Sequence, residues 1–138
     1  MLLVTRPALI LALGGLVALT GCFSQRPDLD FGEVQGTVTY EGKPLPNATV
    51  KFQPQEGRPS YGKTDESGHY SLLFMGEDWG AIVGDHQVAI TTEDRIENPE
   101  TGESSWQKEI LPRKYHAQTE LTAAVEPGEN EINFDLTK

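Results

Sequence analysis

Apolar and polar residues alternate along most of this chain from Glu33 onward, the pattern of strands that bury one face. Over residues 33–40 the inward set is Val34, Gly36, Val38 and Tyr40, while Glu33, Gln35, Thr37 and Thr39 face out. Gly42-Lys43-Pro44-Leu45-Pro46-Asn47 breaks the alternation, because proline lacks an amide donor and these residue types favour turns. A second strand over 48–53 turns Ala48, Val50 and Phe52 inward, and a short third strand covers 61–64 after a loop. Asp65-Glu66-Ser67-Gly68 is the tightest turn signal, since aspartate can bond its own backbone and glycine accepts positive φ. Residues 69–75 then bury Tyr70, Leu72 and Phe74, and residues 85–92 bury His86, Val88 and Ile90. At the C-terminal end, Leu121, Ala123 and Val125 are expected to form a hairpin with Ile132, Phe134 and Leu136 through Pro127-Gly128-Glu129-Asn130. Seven short strands separated by turns predict an all-β, seven-stranded antiparallel β-sandwich over residues 33–138.

Three runs carry a family resemblance: Val34-Gln35-Gly36-Thr37-Val38-Thr39-Tyr40, Gly42-Lys43-Pro44-Leu45-Pro46-Asn47-Ala48-Thr49-Val50, and Thr64-Asp65-Glu66-Ser67-Gly68-His69-Tyr70. Together they resemble a carboxypeptidase regulatory-like domain, which implies the transthyretin-like, seven-stranded Greek-key sandwich. Gly84-Asp85-His86-Gln87-Val88-Ala89-Ile90 and Leu111-Pro112-Arg113-Lys114-Tyr115 are similar to the short lipoprotein versions of planctomycete-type bacteria. These motifs are turn glycines, prolines and core positions, so they speak to fold rather than to chemistry.

Before the sandwich, Met1 to Pro7 carry Arg6 and no acid, and residues 8–19 are all apolar or glycine. Such a stretch has the length of a secretory signal core, whereas a spanning helix needs roughly 20 residues. Leu19-Thr20-Gly21-Cys22 follows and resembles a lipobox, which implies cleavage between Gly21 and Cys22 and lipidation of Cys22. A lone cysteine in an exported chain cannot form an internal disulfide, and acylation accounts for it. Residues 1–21 then form the signal peptide and residues 22–32 the lipidated cysteine and a tether, at most about 35 Å long. Phe23 stands where an inner-membrane retention aspartate would sit in the enterobacterial sorting rule, which favours the outer membrane. Cleavage removes Arg6 and leaves 10 basic against 21 acidic residues, a net charge of −11 that disfavours nucleic acid and anionic headgroups.

Residues 93–118 depart from the alternation and are read as a long acidic loop without a strand, with Asn98-Pro99-Glu100-Thr101-Gly102 as a turn at its tip. Within it, Trp106 either pins the loop to the sandwich or offers a contact surface. Few residues carry chemistry. His69, His86 and His116 lie 17 and 30 positions apart, without a zinc-type pair. His86 has the parity of a core residue and His69 that of a solvent-facing one. Asp65 lacks the further oxygen ligands of a calcium loop. Adjacent acids such as Glu93 and Asp94 point apart in extended chain, unlike a glycosidase pair. No nucleophile elbow is present. The C-terminal residues Asn133 to Lys138 lack the Tyr-Arg-Gly-Ser motif that a resemblance to 5-hydroxyisourate hydrolases would require.

The expectation is therefore a non-catalytic module without metal or cofactor, lipid-anchored on the extracytoplasmic side of the cell envelope. It would bind or scaffold a protein or glycan partner, with Trp79 and Trp106 as candidate contact residues on loops. The alternatives are a small envelope hydrolase or ligand carrier using residues 93–118 as a lid, and a purely structural spacer.

Overall fold

The computed structural model describes residues 29–76 and 78–138; the signal peptide, Gly21, Cys22 and most of the tether lie outside the described residues. In chain order the described strands are β1 (Phe31–Tyr40), β2 (Lys43–Pro44), β3 (Thr49–Pro54), β4 (Ser60–Lys63), β5 (His69–Ser71), β6 (Leu73–Phe74), β7 (Asp78–Trp79), β8 (Ala81–Ile82), β9 (Gly84–Thr91), β10 (Asp94–Glu97), β11 (Ser104–Gln107), β12 (Leu121–Val125), β13 (Gly128–Glu131) and β14 (Phe134–Leu136). A single turn of 3-10 helix, Arg113–Tyr115, precedes β12.

Two sheets face each other. One runs β12-β9-β3-β4-β6-β7 and is antiparallel throughout. The other is organised around β1, which pairs with β13 and β14 in parallel and with β8, β5 and β2 antiparallel. Alternation along β1 and β3 places Val34 and Val38 of the first and Val50 and Phe52 of the second in the buried layer. Phe134 bridges the sheets, its ring 6.2 Å from that of Phe52 and 6.4 Å from that of Tyr70. The all-β sandwich anticipated from the alternation is thus what the chain forms, and the inward sets along β1, β3 and β9 are buried as expected except Tyr40, which is half-buried at the end of β1.

Two pairings differ from the sequence expectation. The C-terminal strands do not form a hairpin: β12 pairs with β9, whereas β13 and β14 cross to the other sheet and run parallel to β1. Residues 132 and 133 interrupt that ladder without shifting its register, and Asn133 Oδ1 accepts the Thr37 amide there at 2.8 Å. The physical reason is that β1 would otherwise leave a row of unpaired amides and carbonyls along its second side. Asn130 secures the crossing, donating from Nδ2 to the carbonyls of Glu33 and Glu126 at 3.0 and 2.8 Å. Moreover, the expected strand over 69–75 is divided: β5 belongs to the β1 sheet and β6 to the other. Leu72 is the corner, its amide bonded to the Val34 carbonyl and its carbonyl to the Gly80 amide.

The tightest point of the sandwich is Gly36. It pairs with Tyr70, whose hydroxyl donates to the Ile132 carbonyl at 2.6 Å. A Cβ on Gly36 would stand 1.9 Å from that same oxygen. Burial of the Tyr70 ring pushes its phenol well above the ordinary value of 10.0, so it remains a donor at any working pH. Gly36→Ala should therefore displace the C-terminal strand and cost about 3 kcal/mol, read as a lower urea midpoint at unchanged sheet content.

Candidate functional site

Residues 93–118 hold the largest departure from expectation. They form an arm and an anchor rather than a strandless loop. The arm is a hairpin in which β10 pairs with β11, Arg95 lying opposite Trp106. Its tip is the anticipated turn: Asn98 Oδ1 accepts the Glu100 amide, and the Gly102 amide returns to the Asn98 carbonyl at 2.8 Å. Lys63 Nζ meets Asp94 Oδ2 at 2.5 Å where the arm leaves the sandwich, and this contact lowers the Asp94 carboxyl from its ordinary value. Both partners are solvated, so the pair orients the arm more than it stabilises it.

Behind the arm, Glu109 is the residue that fastens the segment. Its carboxylate accepts from the hydroxyls of Thr91 and Thr92, from the Leu111 amide at 3.0 Å and from the Thr92 amide at 3.2 Å. The Thr92 hydroxyl in turn accepts the Ile110 amide at 2.9 Å. Burial opposes charge on Glu109, but the Thr91 hydroxyl, the Leu111 amide and the Thr92 groups outweigh it and lower its pKa below the ordinary 4.5. Leu111 and Tyr115 then enter the core, and Tyr115 Oη accepts the Thr137 amide at 3.0 Å. In the sequence Glu109 is only one acid within the stretch read as a long acidic loop. Two consecutive threonines at the end of β9 were the available signal, because their hydroxyls and backbone together make a carboxylate nest.

The arrangement places the two candidate tryptophans apart and on strands, not loops. Trp79 lies in β7 at the edge of the antiparallel sheet and Trp106 lies in β11 on the arm, 64% and 73% exposed. Trp106 is therefore a surface residue and does not pin its segment. Trp79 instead belongs to a cross-strand row with Leu73 and Tyr61, joined by the pairs Leu73↔Trp79 and Tyr61↔Leu73. A depression of about 530 Å³ lies along this row, bordered by Thr49, Lys63 and His69.

The histidines do not converge. His86 is buried against the Phe52 ring with Nε2 at 2.6 Å from the Ile82 carbonyl, His69 is exposed, and His116 bonds the Leu111 carbonyl at 3.0 Å. Among the described residues, no three His, Cys, Asp or Glu side chains are grouped to hold a metal. Asp65 serves its turn: Oδ1 accepts the Ser67 hydroxyl and amide and the His69 amide, the hydroxyl contributing most to lowering its pKa. Among the described residues, no helix is long and apolar enough to cross a membrane.

No protein-family model matches this chain, and no curated protein matches it. Among solved structures, it is similar to a DUF3823 family protein from Parabacteroides merdae, with a TM-score of 0.41 and 18% identity over 78% of this chain and 46% of that one. It is also similar to a 9R-lipoxygenase from Cyanothece, with a TM-score of 0.43 and 14% identity over 79% of this chain and 16% of that one. The chain thus spans less than half the length of either protein.

Glu109 yields a signed expectation. A carboxyl lowered by folding stabilises the native state above its unfolded pKa and loses that contribution as pH falls through the native one. Acid titration of stability should decline below about pH 4.5 in the parent protein and less steeply in Glu109→Gln, which at pH 7 should be about 1 to 2 kcal/mol less stable in urea unfolding. Trp106→Ala should leave the melting temperature within about 2 °C of the parent, because the ring is solvated.

Proposed function

We propose that this protein is a lipid-anchored, non-catalytic module of the bacterial cell envelope, held on the extracytoplasmic side through Cys22 and binding or scaffolding an envelope protein or glycan. The observation that carries the reading is the spacing between Leu19-Thr20-Gly21-Cys22 and the start of the sandwich. The Asp30 carbonyl already accepts the Val83 amide at 2.8 Å, only eight residues beyond Cys22. Fully extended, eight residues reach about 29 Å, so a lipid on Cys22 would hold the domain within a few nanometres of the bilayer. Two or three acyl chains, at about 0.8 kcal/mol per buried methylene, make such an anchor firm.

The all-β sandwich supports the resemblance to carboxypeptidase regulatory-like, transthyretin-like domains. A hydrolase or carrier with residues 93–118 as a lid is less well supported. Glu109, Leu111 and Tyr115 are built into the sandwich, which leaves only the β10–β11 hairpin standing outside it. Exposed aromatic side chains on ordered strands, with Trp79 foremost, favour a contact role instead.

The test is metabolic labelling with a fatty-acid analogue in a bacterial host. The parent chain should be cleaved and labelled, and Cys22→Ala should accumulate as an uncut, unlabelled precursor. Cleavage and labelling of Cys22→Ala at the parental level would refute the anchor.

A further inference from the structure

We infer that the outer face of the antiparallel sheet β12-β9-β3-β4-β6-β7 is a binding face for a neutral polysaccharide, seated on Trp79 and Tyr61. The inference rests on the proposed envelope-facing role and gives that role a ligand class.

Strand register sets the geometry. The pairs Lys51↔Ala89, Lys51↔Tyr61, Tyr61↔Leu73 and Leu73↔Trp79 put five side chains in one line across β9, β3, β4, β6 and β7. Four interstrand steps of about 4.8 Å make that line roughly 19 Å long, enough for several sugar rings. Its β7 end is aromatic, with Tyr61 48% and Trp79 64% exposed. Its other end is polar: Gln53, Gln87 and Thr122 form the neighbouring row. There the segment from His116 to Thr119 borders a second depression of about 240 Å³ over Lys51, Gln53, Gln87 and Ala89.

The charge distribution selects among ligands. The chain carries a net charge of −10, yet its two sheet faces differ. On the β1 sheet, Glu33 pairs with Glu129, Gln35 with Glu131 and Thr39 with Asp135, so four carboxylates share the outer face. Among its strand residues the outer face of the other sheet carries Asp85 against Lys51 and Lys63; Asp94 engages Lys63, and Asp65 borders the depression beside Tyr61 and Trp79. A nearly neutral face on an acidic protein neither attracts a polyanion nor repels an uncharged chain. Two flat rings at one end of the line and amides and hydroxyls at the other suit a chain of pyranoses, whose C–H faces stack on aromatic side chains while their hydroxyls exchange hydrogen bonds. A protein partner would call for a larger continuous apolar core than Tyr61, Leu73 and Trp79 supply.

Affinity electrophoresis of the full chain in detergent tests this, with laminarin, hydroxyethylcellulose, galactomannan or xyloglucan cast in the gel and alginate as the anionic control. At least one neutral polymer should retard the protein, and Trp79→Ala and Tyr61→Ala should each weaken retardation about tenfold or more while Trp106→Ala does not. Tryptophan emission should shift saturably with the retarding polymer in the parent and not in the conservative variant Trp79→Phe, which guards against a folding defect. Absence of retardation by all four neutral polymers, retardation by alginate alone, or retardation unchanged in both alanine variants overturns the inference. Fatty-acid labelling of the same preparations reads the anchor separately, so labelled protein that ignores every polymer removes the glycan face and leaves the envelope role standing.

Discussion

Pairing on both sides of β1 is the constraint from which the rest of the sandwich follows. Its backbone runs between the C-terminal strands on one flank and three short antiparallel strands on the other. At the midpoint Tyr70 reaches past Gly36 to the Ile132 carbonyl, so the two flanks are bonded to each other as well as to β1. No side chain fits at residue 36, because its Cβ would collide with the oxygen that Tyr70 requires. The contact ties positions 62 residues apart in sequence, joining the middle of the chain to its C-terminal strands.

From that centre the chain solves its boundaries with local devices. Leu72 turns one continuous strand pattern into a corner between sheets, which closes one side of the sandwich. Asn130 does the equivalent in β13 at the crossing, where its amide donates to the carbonyls of Glu33 and Glu126 and so ties β13 to β1 and to the chain before it. Glu109 fastens the segment after the arm with a carboxylate nest, and Leu111 and Tyr115 complete the core behind it. Each device is a polar group with several partners placed where regular pairing stops.

The outward surface divides by charge along the same architecture. Carboxylates collect on the β1 sheet, and amides, hydroxyls and aromatic rings collect on its partner. Glu33 and Glu129 face each other directly, an arrangement that costs stability in a ladder. One face thus retains that cost, while the opposite face stays closer to neutrality.

Parity along each strand was legible from the residues alone. The inward sets of β1, β3 and β9, the turn at Asp65, the buried His86 and the tip of the arm all follow from local chemistry that operates within a few residues. What alternation does not record is the neighbour. An inward-facing Phe134 satisfies the same pattern whether its strand returns beside β12 or crosses to β1, and the choice was made by the unpaired side of β1. The role of Glu109 was hidden for the same reason, because its partners Thr91 and Thr92 lie 17 to 18 residues away. The row Tyr61–Leu73–Trp79 exists only once three strands are in register. Sequence by itself determined which face of each strand is buried, since burial is a property of single side chains. Tertiary structure alone decided which strands meet, because hydrogen-bonded edges are completed by whichever partner the whole fold leaves available.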